Sequence, residues 1–398
     1  MMRALRATRT ALPALAVAMA IACRAGADGV VPEFHGGLDV ALASRGEAAL
    51  YNTLDYGHTP FDAYNLRLRM TAQPSDAFDL ETEVRFSDAG GVRLYGAYGT
   101  WIPDHSRDLA LQVGKLPWAV GTWGPRSDSE HNPLIGVPLM YSFPTPLKDD
   151  EVPPTADALL AAPRPSAWGG EYDTTDGEER GMRIVSDSEW DVGATLSGSL
   201  RALKFALGAV HGAPGAPAPG RDTNDGKSVL GRIALSPSPA LTFGVSGSWG
   251  AYLDDAVADE LPAGAHVTQY HQSLGMADAA IVLGHLDLRA EGAINVWETP
   301  TLGDLRVRSG YGEARFAFAT RWYAAARGDF LRFSSVVDSA GRSLPWDHDL
   351  DRIEGGLGLR IERRAALKAV AQRTWDHDAD ENETYANDLV ALQFVLSF

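Results

Sequence analysis

From residue 31 onward the chain alternates apolar and polar residues over short runs, with turn residues between the runs. This is the period of a β-strand whose two faces meet different surroundings. At the end of the chain Val390, Leu392, Phe394, Leu396 and Phe398 share one face, while Leu389, Ala391, Gln393, Val395 and Ser397 share the other. Leu66, Leu68 and Met70 alternate with Arg67, Arg69 and Thr71, and Leu80, Thr82, Val84 and Phe86 alternate with Glu81, Glu83 and Arg85. Leu241, Phe243 and Val245, and Ile353, Leu357 and Leu359, repeat the pattern. Connections alternate too: Pro74-Ser75-Asp76, Leu200-Arg201-Ala202 and Glu362-Arg363-Arg364 are tight, whereas long ones fall near 43–63, 117–164, 212–227, 253–267, 298–307, 334–350 and 376–387. The pattern predicts an all-β antiparallel barrel of eighteen strands, two of them at 166–173 and 179–187. The weakest is 166–173, and losing it with one neighbour gives sixteen.

Two architectures carry such an alternation. In a sandwich the apolar faces meet in a shared core; in a transmembrane barrel they meet lipid, and the polar faces line a wet lumen. Aromatic positions favour the barrel. Trp101 and Trp322 fall at one set of strand ends and Trp190, Trp249, Tyr252, Trp297, Phe333 and Trp375 at the other, where interfacial girdles lie. Gly 41 and Pro 23 supply many turns. After residue 30 no stretch approaches the ~20 apolar residues of a spanning helix.

Arg3, Arg6 and Arg9 precede an apolar run from Ala11 to Ala22 and then Ala25-Gly26-Ala27, a small-x-small cleavage pattern. Residues 1–27 are read as a signal peptide and 28–398 as the mature barrel; the rival reading lipidates Cys23. Removal takes four arginines and no acid, leaving 31 basic against 52 acidic residues, a net charge of −21. That sign argues against nucleic acid as a partner. Cys23 is the only cysteine, so neither a structural disulfide nor attached haem is encoded.

Two blocks carry a family resemblance. One is Val113-Gly114-Lys115-Leu116-Pro117-Trp118-Ala119-Val120-Gly121, followed by Asn132-Pro133-Leu134-Ile135-Gly136-Val137-Pro138-Leu139-Met140-Tyr141. The other is Asn224-Asp225-Gly226-Lys227-Ser228-Val229-Leu230-Gly231-Arg232, followed by Leu241 to Gly247. They resemble bacterial outer-membrane porins of the broad group that includes the phosphate-selective porins. The resemblance implies an outer-membrane barrel in contact with lipid and lipopolysaccharide, often trimeric, and the ending on Phe398 is similar to the signal read by the barrel-insertion machinery. Lys148 is the only lysine between 117 and 178, so phosphate selectivity is not carried over.

A barrel of this size leaves an aqueous channel. The long proline-rich third loop, 117–165, is the candidate constriction; its alternative is a cap over the mouth. Charged candidates for the pore lining are Arg67, Arg69, Glu81, Glu83, Arg85, Lys115, Arg126, Arg232, Arg289, Glu291, Glu313, Arg315, Arg327, Asp329 and Glu354. Arginines facing carboxylates set up a transverse field that sorts solutes by charge and dipole; the plainer role is pairing that stiffens the wall. Two loops carry Trp-Asp-His-Asp, and Asp347, His348, Asp349, Asp376, His377 and Asp378 offer a divalent cation a site at the extracellular rim. No other cofactor is expected. The leading expectation is passive diffusion of small hydrophilic solutes or ions, with weak cation preference from the acidic loops. A rim hydrolase using Asp347 or Asp376, and a sheath around a partner such as a multihaem cytochrome, are the other readings.

Overall fold

The computed structural model describes residues 30–44, 52, 59–87, 91–104, 108–162, 181–186, 190–220, 222–377 and 388–398. The predicted signal peptide lies outside them. The strands are β1 (Glu33–Ala43), β2 (Tyr64–Ser75), β3 (Phe78–Ser87), β4 (Gly91–Asp104), β5 (Leu109–Pro117), β6 (Trp190–Leu200), β7 (Leu203–Val210), β8 (Ser228–Ser238) and β9 (Leu241–Ala251). There follow β10 (His271–Leu283), β11 (Leu286–Thr299), β12 (Gly303–Ala317), β13 (Trp322–Phe333), the short hairpin β14 (Ser335–Val337) and β15 (Ser343–Pro345), β16 (Leu350–Glu362), β17 (Ala365–Asp376) and β18 (Leu389–Ser397). All but the hairpin form one closed antiparallel barrel of sixteen strands, sealed where β1 pairs with β18. Closure removes every free sheet edge, as a lipid environment demands.

Sixteen therefore replaces eighteen. Residues 181–186, part of the expected strand 179–187, form no strand; 166–173 lies outside the described residues. Met182, Ile184 and Val185 look strand-like because they are apolar, but they are buried inside the barrel. Their backbone bonds go to the third loop, with Thr145 N donating to Met182 O at 2.9 Å and Val185 N to Met140 O at 3.2 Å. The expected long connection at 298–307 is only residues 300–302, because β11 and β12 pair all the way to Thr299 and Gly303.

The outward face is the apolar one. Val229, Ile233, Phe243, Val245, Ile353, Leu357, Val390, Leu392 and Phe394 are exposed on the wall. Trp101, Trp249 and Trp322 are exposed as girdle residues should be, but Trp297, Tyr252 and Phe333 are buried. Trp297 and Phe333 instead pack edge-on against Trp346, with ring centroids 5.9 and 4.9 Å apart. They belong to a large apolar cluster that also takes in Trp118, Trp123, Leu139, Met140 and Tyr141 of the third loop. Part of the barrel interior is thus a packed apolar core.

Candidate channel constriction

Beyond β5 the chain turns inward and crosses the barrel. Gly121 adopts a positive φ of 64°, and a Cβ there would stand 2.4 Å from the Tyr141 hydroxyl, so the entry bend requires glycine. The insert is first tied to the wall at β9, β11 and β12. Gly121 N donates to Ser246 Oγ at 3.0 Å, Thr122 N to Glu291 Oε1 at 2.7 Å, and Arg126 pairs with Glu313. Its middle reaches the opposite wall, where Arg67 of β2 pairs with Asp128 and, at 2.8 Å, with Glu130, and Ser129 donates to Asp39 of β1. From there it runs under β16, β17 and β13. Lys368 donates to the carbonyls of Asn132 (2.8 Å) and Leu134 (3.0 Å), and Tyr323 Oη to that of Pro133 (3.0 Å). The one-turn helix α1 (Leu139–Ser142) then returns Tyr141 to Glu291.

Glu354 is the centre of the seat. Its Oε1 accepts the amides of Ile135 (3.2 Å) and Gly136 (2.8 Å), and its Oε2 meets Arg327 at 2.6 Å. Arg327 also donates to Gly136 O at 2.7 Å and faces Glu313 at 3.4 Å; Asp329 accepts the Leu139 amide at 3.1 Å. These charges are buried, and each is compensated by an opposite charge or a backbone dipole, as burial requires. A Cβ on Gly136 would come within 2.5 Å of Glu354 and Gln372, so the close approach of backbone to wall needs glycine there as well.

The structure places the other sequence candidates as follows. Arg69 and Arg85 both pair with Glu83, at 2.6 and 2.7 Å, and Arg69 lies 3.4 Å from Glu81. Arg232 pairs with Asp278 across Gly244, whose missing side chain makes the room. Arg289 meets Asp287 at 3.2 Å, Arg315 stacks 4.5 Å from the Tyr323 ring centroid, and Lys115 donates to Leu94 O at 2.6 Å. The two Trp-Asp-His-Asp loops do meet, and their groups bond one another and the β16 end: His348 Nδ1 to Asp376 and His377 Nε2 to Asp351, both at 2.6 Å, while Asp349 accepts the Phe333 amide at 2.8 Å. His348 N donates to Asp347 at 2.8 Å. Asp378 lies outside the described residues. Among the described residues, the one group of three with ligand atoms close enough for a shared cation is Asp128, Glu130 and His131, on the insert.

Sequence reasoning missed Asp39, Asn52, Arg93, Tyr95, Asp128, Glu130 and Lys368. Only Lys368 carried a signal of its own, a single lysine on the polar register of the otherwise apolar Ala365–Val370 run.

Open space remains on the β1–β5 side. A cleft of about 80 Å³ is bordered by Asp39, Arg67, Arg85, Arg93, Tyr95 and Asp128. Nearer the short-turn end a second, of about 890 Å³, is bordered by Glu33, Asp79, Glu81, Tyr98 and Gln112. Arg85 lies 4.0 Å from the Tyr95 ring centroid, which holds its guanidinium at the rim of the first cleft.

At the long-loop end the insert docks on the loop after β9. Asp254 N donates to Asp149 O at 2.8 Å, and Val152 N to Glu260 at 3.4 Å. Burial beside Asp150 and Asp254 pushes the Asp149 carboxyl from 3.8 up to about 6. A raised carboxyl contributes its full share of stability below pH 3.8, and this is lost as pH rises through 6. The docking of 148–162 should therefore be tighter at pH 4 than at pH 7. The protection of the Asp254 amide against hydrogen exchange, taken relative to the intrinsic rate at each pH, is expected to fall across this window in the native protein and to stay flat in Asp149→Asn.

No family model and no curated protein matches the sequence. Solved structures do. An anion-selective porin from Comamonas acidovorans superposes with a TM-score of 0.55 at 10% identity, over 93% of this chain and 100% of that one. OmpF of Salmonella typhi, in complex with daunomycin, gives 0.56 at 11%, over 93% and 98%. A loop L8 deletion mutant of OmpT, an outer membrane protein of Vibrio cholerae, gives 0.54 at 10%, over 93% and 99%. At such identities the likeness is one of fold, and the fold of this chain is the closed β-barrel of the bacterial porins.

Proposed function

We propose that the protein is an outer-membrane porin that passes small hydrophilic solutes or ions by diffusion, along a passage confined to the β1–β5 side of its lumen. The observation that carries this reading is the pair of clefts on that side, the first between Arg67, Arg85 and Arg93 and the Ser127–Ser129 stretch of the insert, the second bordered by Glu33, Asp79 and Glu81. The apolar exterior suits lipid, and the similarity to solved porins supports the location. An insert that crosses the barrel and packs against its inner wall disfavours a sheath around a protein partner. A homotrimer is part of the proposal; OmpT of Vibrio cholerae, similar in fold with a TM-score of 0.52, has been solved in a trimer form.

The test is conductance in planar bilayers under a salt gradient. Stepwise currents with weak cation preference are expected. Arg67→Ala removes a positive charge from the cleft and frees Asp128 and Glu130, so the reversal potential should move further toward cations and the unit conductance should rise. An absence of steps from folded, purified protein would sink the channel reading.

A further inference from the structure

Among the described residues most arginines are paired with carboxylates, but one group at the short-turn end is not. Arg321 lies on the connection between β12 and β13, and Arg363 and Arg364 form the turn between β16 and β17; all three are exposed, and none has an ion-pair partner among the described residues. The two turns adjoin, because β13 pairs with β16 and Arg360 N donates to Arg321 O at 2.7 Å. Two carboxylates stand nearby. Glu362 is exposed at the end of β16, and Phe398, just beyond β18, accepts the Gly36 amide through its O atom at 3.0 Å. Directly above these turns the outward wall is aromatic and aliphatic: Phe316, Phe318, Trp322 and Ile361 are 49%, 52%, 43% and 39% exposed. Elsewhere at this end the turns at 76–77 and 108 carry Asp76 and Asp108, and the β6–β7 turn carries the single arginine Arg201, so the three-arginine group stands in one sector.

We infer that this sector, β12 to β17 at the short-turn end, is a binding site for an anionic phospholipid of the leaflet facing the periplasm. Acyl chains lie along the exposed aromatic belt, and the phosphate is held by Arg321, Arg363 and Arg364. A guanidinium presents a planar fork of donors that matches phosphate oxygens, and a girdle ring beside a basic turn sits at headgroup depth. Each arginine near an anionic surface adds attraction, so three together should discriminate strongly against a zwitterionic headgroup. The inference rests on the membrane location proposed above, but not on conduction: a closed barrel would hold the lipid equally well.

The experiment is native mass spectrometry of the delipidated, detergent-purified barrel titrated with phosphatidylglycerol or phosphatidylethanolamine. Preferential retention of phosphatidylglycerol is expected. It should fall on the order of tenfold in the triple variant Arg321→Gln/Arg363→Gln/Arg364→Gln. Retention should return in the triple Arg→Lys variant and be unaffected by Arg201→Gln, which alters an exposed arginine on a turn outside the sector. If the triple variant does not fold, Arg321→Gln alone is read, with a fall of several-fold expected. Equal retention of the two lipids, or no fall in the variants, would overturn the site. Displacement of the lipid by millimolar inorganic phosphate would overturn it too, since it would mark a site for free oxyanions rather than lipid. A protein that enters no bilayer at all would fail the membrane reading itself, an outcome separate from these.

Discussion

A Glu354→Ala barrel is expected to close and insert, yet to conduct several-fold more current than the native protein. Glu354 holds the tip of the insert through two backbone amides and neutralises Arg327, which is itself buried. Removal of the Glu354 carboxylate leaves Arg327 with only the longer contacts to Glu313 (3.4 Å) and Asp329 (3.5 Å) and leaves two buried amides without their acceptor; breaking one side of a buried pair costs up to roughly 3–5 kcal/mol. The strain is local, because the wall around position 354 keeps its ladder hydrogen bonds to β13 and β17. The expected result is an insert that leaves its seat, so segment 118–147 should also become sensitive to protease in the folded barrel. Glu354→Gln keeps an acceptor for the amides but loses the charge, and should fall between. Native conductance together with native protease resistance in Glu354→Ala would show that the remaining anchors are sufficient.

The second large effect is expected at the seam of the barrel. Gly36 and Phe398 exchange backbone hydrogen bonds, each 3.0 Å, where β1 meets the end of the chain. A Cβ at Gly36 would lie 2.4 Å from the Phe398 ring and 2.7 Å from the Arg67 carbonyl. The ring is able to turn aside; the carbonyl belongs to the β1–β2 ladder and is not. Gly36→Val should therefore fail to close, seen as loss of the heat-modifiable folded band on gels and of bilayer activity. Gly37→Ala is the control, since its nearest neighbour is a movable Arg67 guanidinium nitrogen at 3.3 Å.

Much of the barrel is legible in the sequence because a strand has only two faces, and a wall between lipid and lumen imposes opposite chemistry on each. Val390, Leu392, Phe394, Leu396 and Phe398 read as one face and are one exposed face. Misreadings arise where that two-environment rule fails. Met182 and Ile184 alternate about Arg183 as a wall strand would, but Met182 bonds Thr145 and Leu147 of the insert, and the Ile184 carbonyl accepts from the Gln272 side chain rather than from a neighbouring strand. Trp297, Tyr252 and Phe333 fall at strand ends as girdle residues do, but their rings turn inward onto Trp346 and the cluster around it. Local sequence does not reveal whether an aromatic at the rim meets lipid or an apolar interior.

The functional residues divide the same way. Glu291, Glu313, Arg327, Asp329 and Glu354 are recognisable as lumen-facing charges from period alone. That they anchor a plug rather than line an open pore depends on contacts spanning up to 219 positions, such as Ile135 with Glu354. Asp128 and Glu130 look like ordinary loop acids until the insert carries them to Arg67.

By itself, the sequence determined the closed β wall, its apolar exterior, the charged inner register and the loop long enough to enter. Those are consequences of periodicity and composition, which act over a few residues at a time. Only the tertiary structure decided that the barrel has sixteen strands, that the third loop packs into an apolar cluster inside it, and that clefts remain beside β1–β5. Each of these depends on which wall the insert's backbone amides and carbonyls find as partners once they leave water, and that is settled between residues far apart in the chain.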